Sequence, residues 1–395
     1  MRRFLTAALA ALCILSLTSC GNSTTPADSE SSAAGSSAQQ GDVSSPSQPD
    51  QPFTARQLAK ERLSTMTLEE KVGQLFFVRC PADSQVSDVS KYHLGGYILF
   101  GRDTKDKTAD DLIQTIAGYQ AAAGEIPLLI GTDEEGGTVV RVSSNPKLRS
   151  EKYRSPQQLY QAGGMEAITE DTHKKDLLLK ALGFNVNFAP VADVSTSPDD
   201  FIYARSFGQN AESTASYVAA AVSQMHRDDM GSVLKHFPGY GNNADTHTGI
   251  SVDKRSLQTF LASDFLPFRV GITAGDGSEA VLVSHNIMES VDKTLPPSLS
   301  PAVHVLLRQE IGFDGVAITD DLAMEAVAAY AQDGSVAVLA LKAGNDMVLT
   351  SDYRTQIPQV IAAVNSGALA QRVIDSACTR VLIWKMSLGL LSDQP

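Results

Sequence analysis

The sequence predicts an α/β protein with one catalytic domain built as a (β/α)8 barrel, and three observations lead to this fold class. Short apolar or β-branched runs alternate with longer helical stretches, which is the pattern of parallel strands joined by helices. Eight such runs occur along the chain. Reactive side chains follow the ends of these runs, where TIM-type barrels carry their active sites. One irregular strand would reduce the count to seven or leave the sheet open.

The predicted strands are bounded by glycine or polar residues, and the predicted helices lie between them. Each helix would return the chain to the start of the next parallel strand. The strands are predicted at 74–80, 96–100, 127–131, 186–191, 232–235, 280–284, 315–319 and 346–350. The helices are predicted at 56–72, 108–123, 165–182, 211–228, 256–272, 301–310, 321–342 and 369–388.

The chain before the barrel is predicted to lie outside the folded domain. Residues 1–19 start with a basic pair and continue as a short apolar run, which is the pattern of a secretory signal. The run ends at Cys20 in a segment that resembles a bacterial lipobox, so we expect a lipidated Cys20 that anchors the protein to the cell membrane, facing the envelope. An ordinary signal peptide or an uncleaved anchor is the alternative. Residues 20–51 are rich in Ser, Gly and Pro and predict a disordered tether.

Charge and cysteine content exclude several classes of partner for the domain at 52–395. The formal net charge of the whole chain, −13, argues against nucleic acid, whose phosphates would be repelled. Cys80 and Cys378 have neither the spacing of metal ligands nor that of a disulfide framework, and a single bridge between them stays open. No further apolar run is long enough to cross a bilayer.

Charged and polar side chains follow five consecutive predicted strands, from the third to the seventh. Because the carboxyl ends of parallel barrel strands meet at one rim, we expect these side chains to share a pocket. They are Asp133, Glu135 and Arg141; Asp193 and Arg205; Lys235, His236, Asp245 and His247; His285; and Asp320 with Asp321.

This set of side chains favours glycoside cleavage over other chemistry. The sequence has no phosphate-binding loop and no G-x-S-x-G nucleophile turn. A metal could be held by Asp133, His236, Asp245 and His247, but the ammonium of Lys235 would repel it, so no metal is predicted. Cleavage of a glycoside needs a carboxylate near the anomeric carbon and a proton donor near the leaving oxygen. Asp320 and His247 can fill these roles, with Asp245 orienting the imidazole.

Seven motifs, spread in order over the domain from about 54 to 390, resemble glycoside hydrolase family 3. Within that family the chain is similar to the single-domain β-N-acetylhexosaminidase branch. The motifs are LSTMTLEEKVGQLFF (63–77), DEEGGTVVR (133–141), NFAPVADV (187–194), ARSFG (204–208), KHFPGYG (235–241), Asp245-Thr246-His247 and GFDGVAITDDLAMEAV (312–327).

The resemblance implies a retaining exo-β-N-acetylglucosaminidase that acts by double displacement on cell-wall or related glycans, without a cofactor. By motif position, Asp320 is the nucleophile and His247, paired with Asp245, is the acid/base. The resemblance further implies a site for the terminal sugar. Its residues would be Asp133, Arg141, Arg205, Lys235 and His236.

Several alternatives stay open from the sequence alone. Asp321 could replace Asp320 as nucleophile, although alternation along a strand would turn the two side chains opposite ways and Asp321 could instead cap a helix starting at Leu322. His285 could belong to the core or to the site, whereas Glu135 and Asp193 are expected to anchor loops through backbone hydrogen bonds. A β-glucosidase, a phosphorylase of the same family and a lipid-anchored sugar-binding protein are the other functions considered. The family's usual KHFPGHG carries tyrosine at 240, and the following spacing is one residue shorter.

Overall fold

The computed structural model describes residues 54–243, 249, 251–324, 327, 329–330 and 335–392. The predicted signal peptide, tether and lipidated Cys20 therefore lie outside the described residues. In the described part of the chain, no helix is long and apolar enough to cross a membrane.

Within the described residues, eight parallel strands form the barrel, as predicted, and two short strands form a separate parallel pair. The barrel strands are β1 (Phe76–Arg79), β2 (Gly96–Leu99), β3 (Leu129–Thr132), β4 (Val186–Asn187), β5 (Gly231–Phe237), β7 (Glu279–Val283), β9 (Val316–Thr319) and β10 (Val348–Thr350). The additional pair, which the sequence did not predict, consists of β6 (Val252–Asp253) and β8 (Ile287–Met288).

Around the barrel the strands follow the order β10, β1, β2, β3, β4, β5, β7, β9. The sheet closes nearly completely between β9 and β10. There the backbone N–H of Thr319 donates to the carbonyl of Met347 at 3.1 Å, and that of Asp346 donates to the carbonyl of Ala317 at 2.8 Å. Strands β1 and β5 consequently lie on opposite sides of the ring, four positions apart in either direction.

Thirteen α-helices surround this sheet in the described part of the chain. They are α1 (Ala55–Thr65), α2 (Leu68–Gln74), α3 (Gln85–Tyr92), α4 (Gly101–Thr104), α5 (Ala109–Ala123), α6 (Pro156–Ala181), α7 (Ala211–Arg227), α8 (Leu257–Ala262), α9 (Phe265–Gly275), α10 (Pro301–Val305), α11 (Val336–Ala343), α12 (Tyr353–Asn365) and α13 (Gln371–Ser387). A 3-10 helix covers Pro297–Leu299, and a π-helical turn follows α10 at Leu306–Glu310.

Local sequence signals explain where several of these helices begin. Helices α1, α2, α5 and α6 each start with a capping box, in which a Ser or Thr hydroxyl and a side chain three residues later satisfy each other's backbone N–H groups. Helix α6 starts earlier than predicted and is interrupted at Gly163 and Gly164, whose dihedral angles are not helical. The predicted helix at 165–182 is its second half.

The predicted start of a helix at 321 is wrong. Residues 322–324 form turns, and a helix of this region covers Val336–Ala343. The side chain of Asp321 accepts a hydrogen bond from the N–H of Ala323 at 2.9 Å, which stabilises a turn at this point. Helix α12 was not predicted at all.

Two aromatic rings pack together in the hydrophobic core. The rings of Phe77 and Phe188 meet edge to face, with centroids 5.1 Å apart. A Cβ at Gly131 of β3 would lie 2.6 Å from the ring of Phe188, so glycine is needed there for close packing. Cys80 and Cys378 are both buried and free, so the bridge left open by the sequence does not form.

Candidate active site

A cavity of about 460 Å³ opens at the C-terminal ends of the barrel strands. Its size lies within the range of sites for small ligands. Strands β1, β3, β5 and β9, or the residues directly after them, supply most of its polar lining. The lining includes Arg79, Phe100, Asp133, Glu135, Arg141, Phe201, Arg205, Lys235, His236, Asp320 and Asp321.

A buried network of charges occupies the side of the cavity formed by β3, β4 and β5. Lys235 Nζ lies 2.9 Å from Asp133 Oδ1 and 2.6 Å from Glu135 Oε1. Arg205 binds Glu135 through two hydrogen bonds, Nε to Oε2 at 3.0 Å and Nη2 to Oε1 at 2.8 Å. Arg141 Nη2 lies 3.5 Å from Asp133 Oδ2. The network places two carboxylates among three cations.

The charges of this network set the ionisation of Glu135. Burial alone would raise the pKa of Glu135, but the charges of Arg205 and Lys235 outweigh it and hold that pKa well below its usual value. Burial would lower the pKa of Arg205, but Glu135 raises it instead. Glu135 is therefore ionised and engaged by side chains. The expectation that it anchors a loop through backbone hydrogen bonds is wrong, because its partners come from β5 and from the loop after β4.

His236 is held in one orientation by a residue from the loop after β4. Its Nδ1 lies 2.7 Å from Asp193 Oδ2, and its Nε2 lies 3.2 Å from Nη2 of Arg205. A guanidinium can only donate, so Nε2 accepts and Nδ1 carries the proton that binds Asp193. Asp193 also accepts from the backbone N–H groups of His236 and Tyr240, which fits its predicted anchoring role.

Glu134 holds the loop that carries Arg141. It is fully buried, and its carboxylate accepts from the backbone N–H groups of Arg141 at 2.8 Å, Val142 at 2.7 Å and Ser143 at 3.2 Å, and from the Ser143 hydroxyl. A carboxylate can accept hydrogen bonds at both oxygens, so Glu134 satisfies all four of these donors. The side chain of glutamine has only one oxygen and would satisfy fewer of them.

Asp320 and Asp321 both lie beyond β9, which ends at Thr319, and both line the cavity. The expectation that strand alternation would turn them opposite ways is wrong, because neither belongs to the strand. They differ in their hydrogen bonds. Asp320 Oδ1 accepts from the N–H of Asp321 at 2.9 Å, whereas Asp321 Oδ1 accepts from Ala323 in the turn.

His285 supports this turn from the end of β7. It is fully buried; its Nδ1 lies 2.8 Å from the Ser298 hydroxyl, and its Nε2 lies 3.2 Å from the backbone carbonyl of Asp321. A carbonyl can only accept, so Nε2 carries the proton. Of the two alternatives for His285, the structure favours a buried histidine bound to the backbone.

Asp245 and His247, the predicted acid/base pair, lie outside the described residues. The chain on either side of them is firmly held. Arg255 binds Asp253 with Nη2 at 2.7 Å and Asp264 with Nη1 at 2.9 Å, and its Nη2 also lies 3.3 Å from the carbonyl of Gly239.

Tyr240 and Phe201 form an aromatic contact at the cavity. The ring of Tyr240 is buried and meets His236 edge to face at 5.1 Å. Phe201 lies 5.7 Å from Tyr240 and is 38% exposed. The tyrosine that departs from the family motif thus packs between a site histidine and an exposed ring.

Comparison with known proteins agrees with this arrangement. Residues 67–383 match the glycosyl hydrolase family 3 N terminal domain. The chain belongs to glycoside hydrolase family 3. The beta-hexosaminidase LpqI of Mycobacterium tuberculosis is 33% identical over 329 residues, which cover 80% of this chain and 82% of that protein. A beta-hexosaminidase of Xanthomonas campestris is 32% identical over 312 residues, covering 76% and 89%.

Solved structures of family 3 members superpose on this chain as well. A β-N-acetylglucosaminidase of the family from Paenibacillus has a TM-score of 0.76 at 32% identity and covers 82% of this chain; the chain spans 63% of that protein. The structure of M. tuberculosis LpqI has a TM-score of 0.74 at 28% identity, covering 82% of this chain and 95% of LpqI.

Six of the predicted site residues line the same cavity: Asp133, Arg141, Arg205, Lys235, His236 and Asp320. The role of each residue in the reaction stays a prediction. Sequence reasoning missed Arg79, Phe100 and Phe201. Arg79 was the easiest to find, because it is the one charged residue in an apolar run and stands at the end of β1, on the rim.

Proposed function

We propose that this protein is a retaining exo-β-N-acetylglucosaminidase, that is, a β-N-acetylhexosaminidase that removes terminal N-acetylglucosamine from β-linked glycans. The observation that carries the proposal is the network of Lys235, Asp133, Arg205 and His236 in a cavity that also contains Asp320. The names of its relatives support it, since they are beta-hexosaminidases and a β-N-acetylglucosaminidase.

The network suits a neutral sugar. Ammonium and guanidinium groups donate hydrogen bonds to hydroxyl and acyl oxygens, and Asp133 accepts from hydroxyl groups. Because Asp133 and Glu135 are already balanced by cations, the charged donors are positioned before the substrate arrives. A site ordered in advance loses less entropy when the sugar binds.

In the proposed reaction, the Asp320 carboxylate attacks the anomeric carbon while His247 gives a proton to the leaving oxygen. The covalent glycosyl-enzyme then reacts with water, which His247 deprotonates, and the carboxylate of Asp320 is released. Asp245 would orient the imidazole and stabilise its cationic form. No step requires a metal or an organic cofactor.

Aryl glycosides test the proposal directly. The purified protein should release 4-nitrophenol from its N-acetyl-β-D-glucosaminide in the presence of a chelator, and much more slowly from the β-glucoside. NMR of the reaction should show the β-anomer of the sugar forming first. Brisk release from the β-glucoside alone would instead identify a β-glucosidase, and an α-anomer would exclude double displacement.

The place of action is part of the proposal. Attachment through a lipidated Cys20 would hold the enzyme at the cell envelope, beside cell-wall glycans and muropeptides as substrates. Cells fed a labelled fatty acid should label the protein and lose that label in a Cys20→Ala variant. Retention of the label in the variant would reject the anchor without affecting the proposed activity.

A further inference from the structure

We propose that Arg79, together with Arg141, forms an oxyanion-binding site in the cavity, which recognises either a carboxylate on the leaving part of the substrate or a free phosphate. This inference rests on the proposed function and adds a specificity-determining residue to it. Five observations support it.

The first observation is that the Arg79 side chain forms no salt bridge with any described residue. Its guanidinium makes no ion pair or hydrogen bond within the described residues, and its Nε is buried without a partner. A buried donor without an acceptor costs free energy unless a ligand or water satisfies it. Arg79 lines the cavity, so a bound ligand can reach it.

The second observation is that Arg79 is held in place by packing. Its Cζ lies 4.5 Å from the centroid of the Phe100 ring, and the Cζ of Arg141 lies 5.4 Å from the same centroid. Both are cation–π distances. The guanidinium groups of Arg79 and Arg141 therefore contact the same ring, that of Phe100, and line the same part of the cavity.

The third observation is the contrast with the other cations of the site. Lys235 and Arg205 are both paired with Glu135, at 2.6 and 2.8 Å. Arg141 is only partly engaged, because its nearest carboxylate oxygen, on Asp133, is 3.5 Å away and its Nε is buried without a partner. Among the described cations of the cavity, Arg79 and Arg141 are therefore the ones whose N–H groups are available to a ligand.

The fourth observation concerns Asp103, the acidic residue near Arg79, whose carboxylate contacts other groups. Asp103 lies near enough for the charge of Arg79 to act on its pKa, although burial, the largest effect, raises that pKa. Its Oδ2 accepts from the backbone N–H of Phe100 at 2.8 Å, and its Oδ1 lies 3.4 Å from Arg102. Asp103 thus contacts Phe100 and Arg102, and it forms no salt bridge with Arg79 within the described residues.

The fifth observation is location. Arg79 ends β1, which lies across the ring from β5 and its Lys235. A terminal sugar bound by Lys235 and Arg205 would leave Arg79 on the opposite wall for the leaving group or an attacking acceptor. Arg141 contacts both Asp133 of the network and the Phe100 ring beside Arg79, so it lies between the two parts. Arginine presents a fork of donors that matches carboxylate and phosphate oxygens.

The two sources of the oxyanion have different chemical consequences. A carboxylate on the leaving sugar would strengthen binding of an acidic substrate. Phosphate would instead attack the anomeric carbon of the glycosyl-enzyme. The bond to Asp320 would break, its electron pair would return to the carboxylate, and the product would be a sugar 1-phosphate.

The test compares matched substrates in matched variants. One substrate is a disaccharide with N-acetylglucosamine β-linked to a uronic acid, and the other is its methyl ester. Arg79→Gln should lower kcat/KM for the acid by about tenfold or more, the loss expected for one charge-assisted hydrogen bond. The ester should change less than about threefold, and Arg79→Lys should restore part of the loss. Arg372→Gln, which removes an exposed arginine from α13, is the control.

A second arm measures inorganic phosphate by calorimetry, which needs no turnover, and measures sugar 1-phosphate formation. Phosphate binding that Arg79→Gln abolishes supports the site with phosphate as the source, while a selective loss on the acid supports the carboxylate. The proposal is overturned if acid and ester fall by the same factor and phosphate does not bind. If the wild-type protein cleaves no N-acetylglucosaminide, the proposed function fails, and the phosphate titration still decides the role of Arg79.

Discussion

Lys235 Nζ lies 2.6 Å from Glu135 Oε1, and both side chains are only 3% exposed. This buried pair links the end of β5 to the loop after β3. It also connects Asp133 to Arg205, since Lys235 contacts the first and Glu135 binds the second. The pair therefore holds together the part of the cavity assigned to the terminal sugar.

Replacement of Glu135 by glutamine should destabilise the protein and impair sugar binding. The change removes the charge that balances Arg205 and Lys235, and loss of one partner from a buried pair costs about 3 kcal/mol. Urea unfolding and steady-state kinetics measure the two effects. Glu170→Gln removes a carboxylate from an exposed pair with Lys174 and should cost less than about 1 kcal/mol. A similar small cost for both variants would contradict the account of Glu135.

Glu279, at the start of β7, predicts a pH dependence of stability. Burial raises the pKa of Glu279 to about 7. The folded protein therefore keeps a proton there that the unfolded chain loses near the ordinary glutamate pKa of 4.5. The contribution of this proton to the free energy of unfolding is complete below about pH 4.5, and it is lost as the pH rises through 7.

Glutamine resembles the protonated acid and carries no such pH dependence. The unfolding free energy of Glu279→Gln should gain about 3 kcal/mol relative to the wild type between pH 4.5 and pH 8. Urea unfolding at the two pH values gives this difference. If the unfolding free energies of variant and wild type differ by the same amount at pH 4.5 and at pH 8, Glu279 ionises normally in the folded protein.

Arg255 is predicted to position the acid/base segment. It ties Gly239, before that segment, to Asp253, after it, and to Asp264 of the α8–α9 connection. Arg255→Gln should lower kcat by about tenfold or more with little change in KM, because general acid catalysis depends on placement of the proton donor.

The leaving group provides the control for this prediction. A 2,4-dinitrophenyl glycoside needs little protonation and should lose much less activity in Arg255→Gln than a disaccharide. Arg269→Gln, which removes a half-buried arginine of α9 whose Nε donates to the carbonyl of Glu310 at 3.2 Å, should affect neither substrate. Equal losses on both substrates would mean that Arg255 acts through stability alone.

The barrel could be predicted because each strand is a local pattern, and each of the eight predicted runs overlaps a barrel strand. The ion pair of Glu135 could not be predicted from the sequence, because its partner Arg205 is 70 residues away along the chain. The helix expected from 321 failed because Asp321 stabilises a turn instead. Alternation between Asp320 and Asp321 failed because β9 ends at Thr319, one residue too early for the rule to apply.

Arg79 shows a different limit of sequence reasoning. It ends a run of apolar residues and was absorbed into the predicted strand. Its position on the rim could be recognised from the sequence. The absence of a salt bridge from Arg79 to the described residues depends on how Phe100 and Asp103 pack around it. Whether a buried charge is paired is a tertiary property.

Covalent trapping decides whether Asp320 is the nucleophile. A 2-fluoro sugar with a good leaving group should form a stable glycosyl-enzyme, because fluorine slows both steps while the good leaving group speeds only the attack. Mass spectrometry of the digested protein should find the sugar on Asp320, and Asp320→Asn should remain unlabelled. A label on Asp321 or Glu135 would contradict the account, as would turnover of the normal substrate by Asp320→Asn at the wild-type rate.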